Sequence, residues 1–264
     1  MRQTLTNQGI KLRYEVEGEG PDVVLIHGLG QRLEDWTLQK EALIKNGFRV
    51  LSYDLRGHGE SAWRGEEVNI DTYADDLNQL FQELSIEKAH LVGLSMGGAI
   101  AQAFYRAFSE KVESLVLAAT FSYFPEPVKQ ASLESRLPYL DQGKMEELAE
   151  FIARRSFTEK APVQLIENTK KVIAANDPTA YRASMIASVN ADSRDILAKI
   201  SLPVLIIVGE GDLTTPVEYS RYLHQHIEAS QLVIIPEARH ICTQERPEPF
   251  NQALLAFLHK VEEG

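Results

Sequence analysis

Ile10, Leu12, Tyr14 and Val16 alternate with Lys11, Arg13 and Glu15. This period of two predicts a strand with one apolar and one wet face, suited to an antiparallel edge. After the turn residues Gly18-Glu19-Gly20-Pro21 the pattern changes. Residues 22–26 form a continuous, β-branched apolar run, which predicts a strand buried on both faces. Residues 48–53, 89–92, 112–118, 203–209 and 232–235 read the same way. Helical stretches separate them: about 36–45, stopped by Asn46-Gly47, one resuming at Asp71, then 99–105, 217–227 and 247–261. Strand and helix alternate four times in the first half, which predicts a mostly parallel, doubly wound α/β sheet. The rhythm breaks between Phe124 and Lys199. There Met145, Leu148 and Ile152 mark one amphipathic helix and Val163, Ile166 and Ile173 another. Asp177-Pro178 opens a third as N-cap and first helical residue. The pattern thus predicts a core made of residues 1–123 and 200–264, with a helical cap inserted at 124–199 over the sheet edge that carries Ser95.

Composition narrows the partners. The chain has 264 residues, with 27 basic against 38 acidic side chains and a net charge of −11. That balance argues against nucleic acid or an anionic membrane as partner, since both need a basic footprint. A single cysteine, Cys242, forms no internal disulfide, which points to a reducing compartment. Met1-Arg2-Gln3-Thr4 leads into no apolar signal core, and no run is long enough to span a bilayer. A cytoplasmic location is the resulting expectation.

Candidate chemistry centres on Gly93-Leu94-Ser95-Met96-Gly97-Gly98, which lies between the buried run 89–92 and the small-residue helix 99–105. The hexapeptide fits G-x-S-x-G, a tight strand-to-helix turn that pushes the serine hydroxyl out of the sheet. A β-carbon at Gly93 or Gly97 would collide with neighbouring backbone in such a turn. The turn also leaves the amide of Met96 free at a helix N-terminus, able to donate to a developing oxyanion. Functional groups of open α/β sheets gather beyond the carboxyl ends of the strands. Collected there are His27, Asp54, Ser95, Asp212 and His240. Serine, carboxylate and imidazole are the parts of a nucleophilic triad, with Glu210 and Asp212 competing for the acid.

Over nearly its full length the chain resembles the α/β-hydrolase superfamily. The resemblance is carried by His27-Gly28-Leu29-Gly30, Asp54-Leu55-Arg56-Gly57-His58-Gly59-Glu60-Ser61, Gly93 to Gly98, Gly209-Glu210-Gly211-Asp212, and His240 with Glu245 and Pro247 downstream. With Trp36, these motifs are similar to the group holding oxoadipate enol-lactonases, small carboxylesterases, cofactor-free haloperoxidases and carbon–carbon bond hydrolases. The resemblance implies an eight-stranded sheet and the order Ser95, Asp212, His240 for the triad. It implies Ser95 as nucleophile, His240 as general base and acid, Asp212 as the orienting acid, and an oxyanion hole from the Leu29 and Met96 amides. No metal and no cofactor is called for; the implied partner is a small ester or lactone.

Competing readings attach to several residues. His27 reads as a structural histidine orienting the Leu29 loop, and Asp54 with His58 as a pair holding a tight turn. His224 and His226, two apart on a helix, do not share a face and read as solvated. Cys242 reads as a small buried thiol, since it lacks a turn that would present it. Trp36, Phe121, Tyr123 and Phe124 fall near the mouth of the site by chain position and are candidates for its lining. Three functions share the triad: an esterase or lactonase, a carbon–carbon bond hydrolase or perhydrolase, and a small-molecule receptor that retains the triad with the cap as its switch.

Overall fold

The alternating and continuous apolar runs become neighbouring strands of one sheet. In the computed structural model, residues 9–264 and the backbone of residues 2–5 are described; Met1, where the reading of the N-terminus begins, and residues 6–8 lie outside them. The elements in chain order are β1 (Arg2–Leu5), β2 (Lys11–Glu17), β3 (Asp22–Ile26), α1 (Thr37–Lys45), β4 (Arg49–Tyr53), α2 (Ile70–Glu83), β5 (Ala89–Leu94), α3 (Met96–Phe108) and β6 (Val112–Ala118). Five helices follow: α4 (Glu126–Glu134), α5 (Leu137–Asp141), α6 (Met145–Ser156), α7 (Val163–Ala174) and α8 (Pro178–Val189). The chain then completes the sheet with β7 (Val204–Gly209), α9 (Val217–His226), β8 (Ser230–Ile235), α10 (Cys242–Glu245) and α11 (Pro247–Glu262).

The strand order is β1-β2-β4-β3-β5-β6-β7-β8, antiparallel at β1/β2 and β2/β4 and parallel elsewhere. Alternate side chains of each buried strand enter opposite layers. Val24 and Ile26 pack with Tyr73, Leu77, Ile100 and Phe104 of α2 and α3, whereas Val23 and Leu25 pack with Leu43, Phe250 and Leu254 of α1 and α11. This two-sided burial is what the unbroken apolar runs encode. From β3 the chain steps to β4 on one side and later to β5 on the other. Loops leaving β3 and β5 therefore diverge at a switch point, where open α/β sheets form a crevice. Ile26 pairs with Gly93, so both strands reach that crevice at the same level.

Two expectations change on this framework. β2 is one strand in from the edge, because Arg2–Leu5 pairs outside it. Its polar face is also not simply wet. Arg13 is 4% exposed, covered by the loops after β3 and β4, where it meets Glu34 and Asp54. The helical insertion between β6 and β7 has its own apolar cluster, including Leu148, Ile173, Tyr181 and Met185. Its last turn does not belong to that cluster: Ala187 and Val189 pack with the main core. Val163, the first residue of the α7 stripe, is 74% exposed, so that stripe begins burying only further along. Asp177 caps α8 through the amides of Thr179 and Ala180. No helix among the described residues is long and apolar enough to cross a membrane.

Candidate active site

Ser95 occupies the turn between β5 and α3 with φ 55° and ψ −118°, a conformation that costs a non-glycine residue energy. The surroundings hold it there. Its amide donates to the Ala118 carbonyl at 2.8 Å, and its carbonyl accepts from Thr120 Oγ1 at 2.6 Å and the Gly98 amide at 2.9 Å. The flanking glycines are required by contact: a β-carbon on Gly93 would lie 2.3 Å from the Gly97 carbonyl oxygen, and one on Gly97 2.1 Å from that of Ile26. α3 can therefore start directly against β3. The Ser95 side chain faces a cavity of about 350 Å³ roofed by the inserted helices.

His240, in the segment after β8, lines the same cavity. Its Nδ1 donates to Asp212 Oδ2 at 2.8 Å, which leaves Nε2 unprotonated in the neutral ring and able to accept a proton. Asp212 follows β7 and is itself fixed. The amides of Thr214 and Thr215 donate to Oδ1 at 2.7 and 2.9 Å. The Thr215 hydroxyl lies 2.9 Å from Oδ2 and 2.8 Å from the Ala119 carbonyl, so it ties the carboxylate to the end of β6. Burial works to raise the Asp212 carboxyl, but the His240 ring and these amides outweigh it and hold the group below its ordinary value. Glu210 is exposed and faces the Glu237 amide at 3.4 Å instead. Among the described residues Ser95 Oγ makes no hydrogen bond, a contact that commonly closes only when substrate is bound.

Two backbone amides lie close to Ser95 in the chain or in the cavity lining: that of Met96, the next residue, and that of Leu29, which lines the cavity. Met96 is the first residue of α3, so its N–H has no partner within the helix. Neither it nor the Leu29 amide meets an acceptor among the described residues. The Leu29 loop is set by side chains: Gln31 Oε1 accepts from the Gly28 amide at 2.9 Å, and His27 bridges the loop to the next strand. Leu55 donates its amide to His27 Nε2 at 3.0 Å, so Nδ1 carries the proton and donates to the Gly28 carbonyl at 2.8 Å. His58 packs on this ring with centroids 5.3 Å apart, and Asp54 accepts from the amides of Leu33 and Glu60. The loop-orienting and turn-holding roles expected of these residues are thus seen in their contacts.

Burial lowers His27 to about 4, and burial together with the neighbouring His27 lowers His58 to about 3. Both lie below the ordinary imidazole value, so the unfolded chain binds more protons as pH falls through about 6.5. The stability these rings contribute is complete above that value and is lost below it, down to the folded-state values. Holding His27 neutral is expected to cost about 2 kcal/mol of unfolding free energy between pH 7 and pH 5. Urea unfolding of the wild type and of His27→Gln at both pH values checks this. The variant should start less stable and fall less steeply; parallel losses would refute the assignment.

Of the four aromatic candidates, Phe121 and Phe124 line the cavity, their rings tilted by 30° with centroids 3.9 Å apart. Trp36 and Tyr123 do not. Trp36 is buried in the layer with α11, against Phe250. Tyr123 turns to the outer side, beneath the Arg194 guanidinium and beside Tyr222. Proximity along the chain places both at the mouth but does not fix side-chain direction: Trp36 ends a short 3-10 turn packed against Phe250, and Tyr123 packs under Arg194. His224 and His226 bond to Ser230 and to the Tyr222 carbonyl. Cys242 is buried, and burial pushes its thiol well up. Gln31, Thr215 and Arg136 are contributors that sequence reasoning missed. Only Thr215 carried a signal, in the run Asp212-Leu213-Thr214-Thr215-Pro216, where an acid followed by threonines forms a local turn.

Comparison with known proteins identifies the family of the fold. A family profile described as the alpha/beta hydrolase fold matches residues 21–246. The chain is 31% identical to 3-oxoadipate enol-lactonase 2 of Acinetobacter baylyi, over 98% of its own length and 97% of that protein's. It is also 31% identical to a thermophilic esterase from Thermogutta terrifontis solved with malate bound, with a TM-score of 0.91 and 98% of each chain covered. The enol-lactonase from Burkholderia xenovorans superposes with a TM-score of 0.90 at 31% identity, covering 98% of this chain and all of that one. With its switch-point crevice, inserted helices and a family match over residues 21–246, the chain belongs to the α/β-hydrolase family, among relatives of enol-lactonases, esterases and cofactor-free haloperoxidases.

Proposed function

We propose that the protein is a serine hydrolase that cleaves small carboxylic esters or lactones through an acyl-enzyme. The observation that carries this reading is that Ser95, the Asp212-bound His240 and Leu29 line one cavity, while the amides of Leu29 and of Met96, the residue after Ser95, are unspent among the described residues. Ser95 Oγ attacks the carbonyl carbon while His240 Nε2 takes its proton. The oxygen that becomes negative accepts from the amides of Met96 and Leu29, whose orientation costs nothing at the moment of reaction. Asp212 keeps the proton on Nδ1 and stabilises the imidazolium that forms. Collapse of the tetrahedral adduct expels the alcohol, which receives the proton from His240. Water then repeats the sequence to release the acid and restore Ser95. The relatives named as esterases and enol-lactonases support the same substrate class.

The cap sets the size limit. We take residues 124–199 as that unit; Phe124, Phe151, Ile152 and Met185 give it an apolar underside. Tyr139 stacks on the outer side of Phe151, and Phe157 packs with Ile241. A cavity of about 350 Å³ lies at the small end of ligand sites. The test is kcat/KM for aryl esters of increasing acyl length, alongside small lactones and a vinylogous diketone. Each methylene that fits should gain up to about 1–3 kcal/mol, and the profile should turn down well before palmitate. A profile still rising at palmitate would contradict a closed cap. Turnover of the diketone above every ester would favour carbon–carbon cleavage, and no turnover of any substrate would favour the receptor reading.

A further inference from the structure

Two arginines enter the walls of the Ser95 cavity, and among the described residues neither forms an ion pair. In a chain with 38 acidic and 27 basic side chains this runs against the average. Arg13, Arg56 and Arg106, for comparison, each hold a carboxylate. The two cavity arginines differ in depth. Arg155, on α6, is exposed at the mouth, where Nη2 donates to the Leu213 carbonyl at 2.9 Å and the guanidinium lies over the Phe151 ring. Arg136, just before α5, is half-buried. Only its Nη1 is used, donating to the carbonyl and hydroxyl of Ser132. Its Nε is buried without a partner, and Nη2 has none among the described residues. A guanidinium offers five N–H donors, so three are unspent.

A second donor lines the same cavity. Tyr181 of α8 is 1% exposed and lines the cavity, and its hydroxyl has no hydrogen-bond partner among the described residues. Burial raises that phenol to about 12 while the nearby Arg136 pulls it down, which places the two groups in reach of each other's field. Phe151, Ile173 and Met185 give this part of the lining its apolar surface, interrupted by Ser132, Ser135 and Ser188. A cation and a phenol aimed into such a wall fit a planar anion that accepts two hydrogen bonds. We propose that Arg136, with Tyr181, anchors a carboxylate on the acyl portion of the substrate, away from the scissile carbonyl. The acyl side is favoured because a group held under the cap stays bound while the alcohol leaves past Arg155. The turnover part of this proposal rests on the ester-hydrolase reading.

The experiment compares 4-nitrophenyl monoesters of straight-chain dicarboxylic acids of four to six carbons with neutral esters in which isopropyl replaces the free carboxylate. Wild type should favour the charged member by at least about 10-fold in kcat/KM, mostly through KM. Arg136→Gln should lower that charged-to-neutral ratio roughly 10- to 100-fold, and Arg136→Lys should retain part of it. Arg154→Gln should leave the ratio where it is, since Arg154 is exposed and paired with Glu150. Equal rates on both series in wild type, or a preference that survives Arg136→Gln, would overturn the anchor. If neither series is hydrolysed, the ester-hydrolase reading fails, and calorimetric titration of Ser95→Ala with glutarate decides the anchor independently. Glutarate should bind there and weaken at least about 10-fold when Arg136→Gln is added. Absent or unaltered binding would overturn it.

Discussion

Asp212→Asn is expected to lower kcat by roughly 10⁴-fold while leaving the fold intact, the loss seen when the same change is made in the serine-protease template. The hydrogen bonds dictate why. The amides of Thr214 and Thr215 both donate to Oδ1, so an asparagine must keep its carbonyl oxygen there. Its NH₂ then replaces Oδ2, 2.8 Å from His240 Nδ1, and donates where the carboxylate accepted. Nδ1 becomes an acceptor and the ring proton moves to Nε2, the nitrogen that must take a proton from Ser95. The variant is thus held in the wrong tautomer. Glu210→Gln, only two residues away in sequence but exposed and turned to Glu237, should change kcat by no more than a few-fold. Steady-state kinetics on an aryl ester checks the pair. If Glu210→Gln were the more damaging change, the acid would have been misassigned.

Ser95→Ala is expected to have the larger effect, roughly 10⁶-fold in kcat, as for loss of a serine nucleophile in related chemistry. The backbone of the turn does not depend on the hydroxyl. It is held by the Ala118 carbonyl, by Thr120 Oγ1 and by the close approach of Gly97 to Ile26. The Met96 and Leu29 amides also stay in place, so the variant should still bind substrate and show a small residual rate above water. Substrate affinity close to wild type together with lost turnover separates a missing nucleophile from a collapsed site. Retention of more than about one-hundredth of the wild-type kcat would exclude Ser95 as the attacking group.

Much of this arrangement is legible in the sequence because it rests on backbone geometry. A strand buried on both faces has to be largely apolar, and β3 after Asp22, β7, and β5 and β6 beyond His90 and Ser114 are. The glycines around Ser95 are forced by contacts of under 2.5 Å, so the motif reports the turn itself. Side-chain direction is harder to read. Trp36 and Tyr123 sit at the right places along the chain but face away from the cavity, one into the α11 layer and one outward under Arg194. β1 escaped notice because Arg2–Leu5 offers no apolar period, and its pairing is decided by β2. Arg13 reads as a solvated strand residue until the loops that fold over it bring Glu34 and Asp54. Arg136 and Gln31 are isolated in sequence; only the packing of α5, α8 and the Leu29 loop around one cavity gives them a common surface.

The central claim is that Ser95 becomes acylated, and labelling with a fluorophosphonate followed by peptide mass mapping addresses it most directly. The reagent phosphonylates a serine only where a base removes its proton and amides accept the developing charge. One adduct per chain is predicted, on the peptide that contains Ser95, with none in Ser95→Ala and a much slower reaction in Asp212→Asn. An adduct on any other residue, or undiminished labelling of Ser95→Ala, would contradict the account.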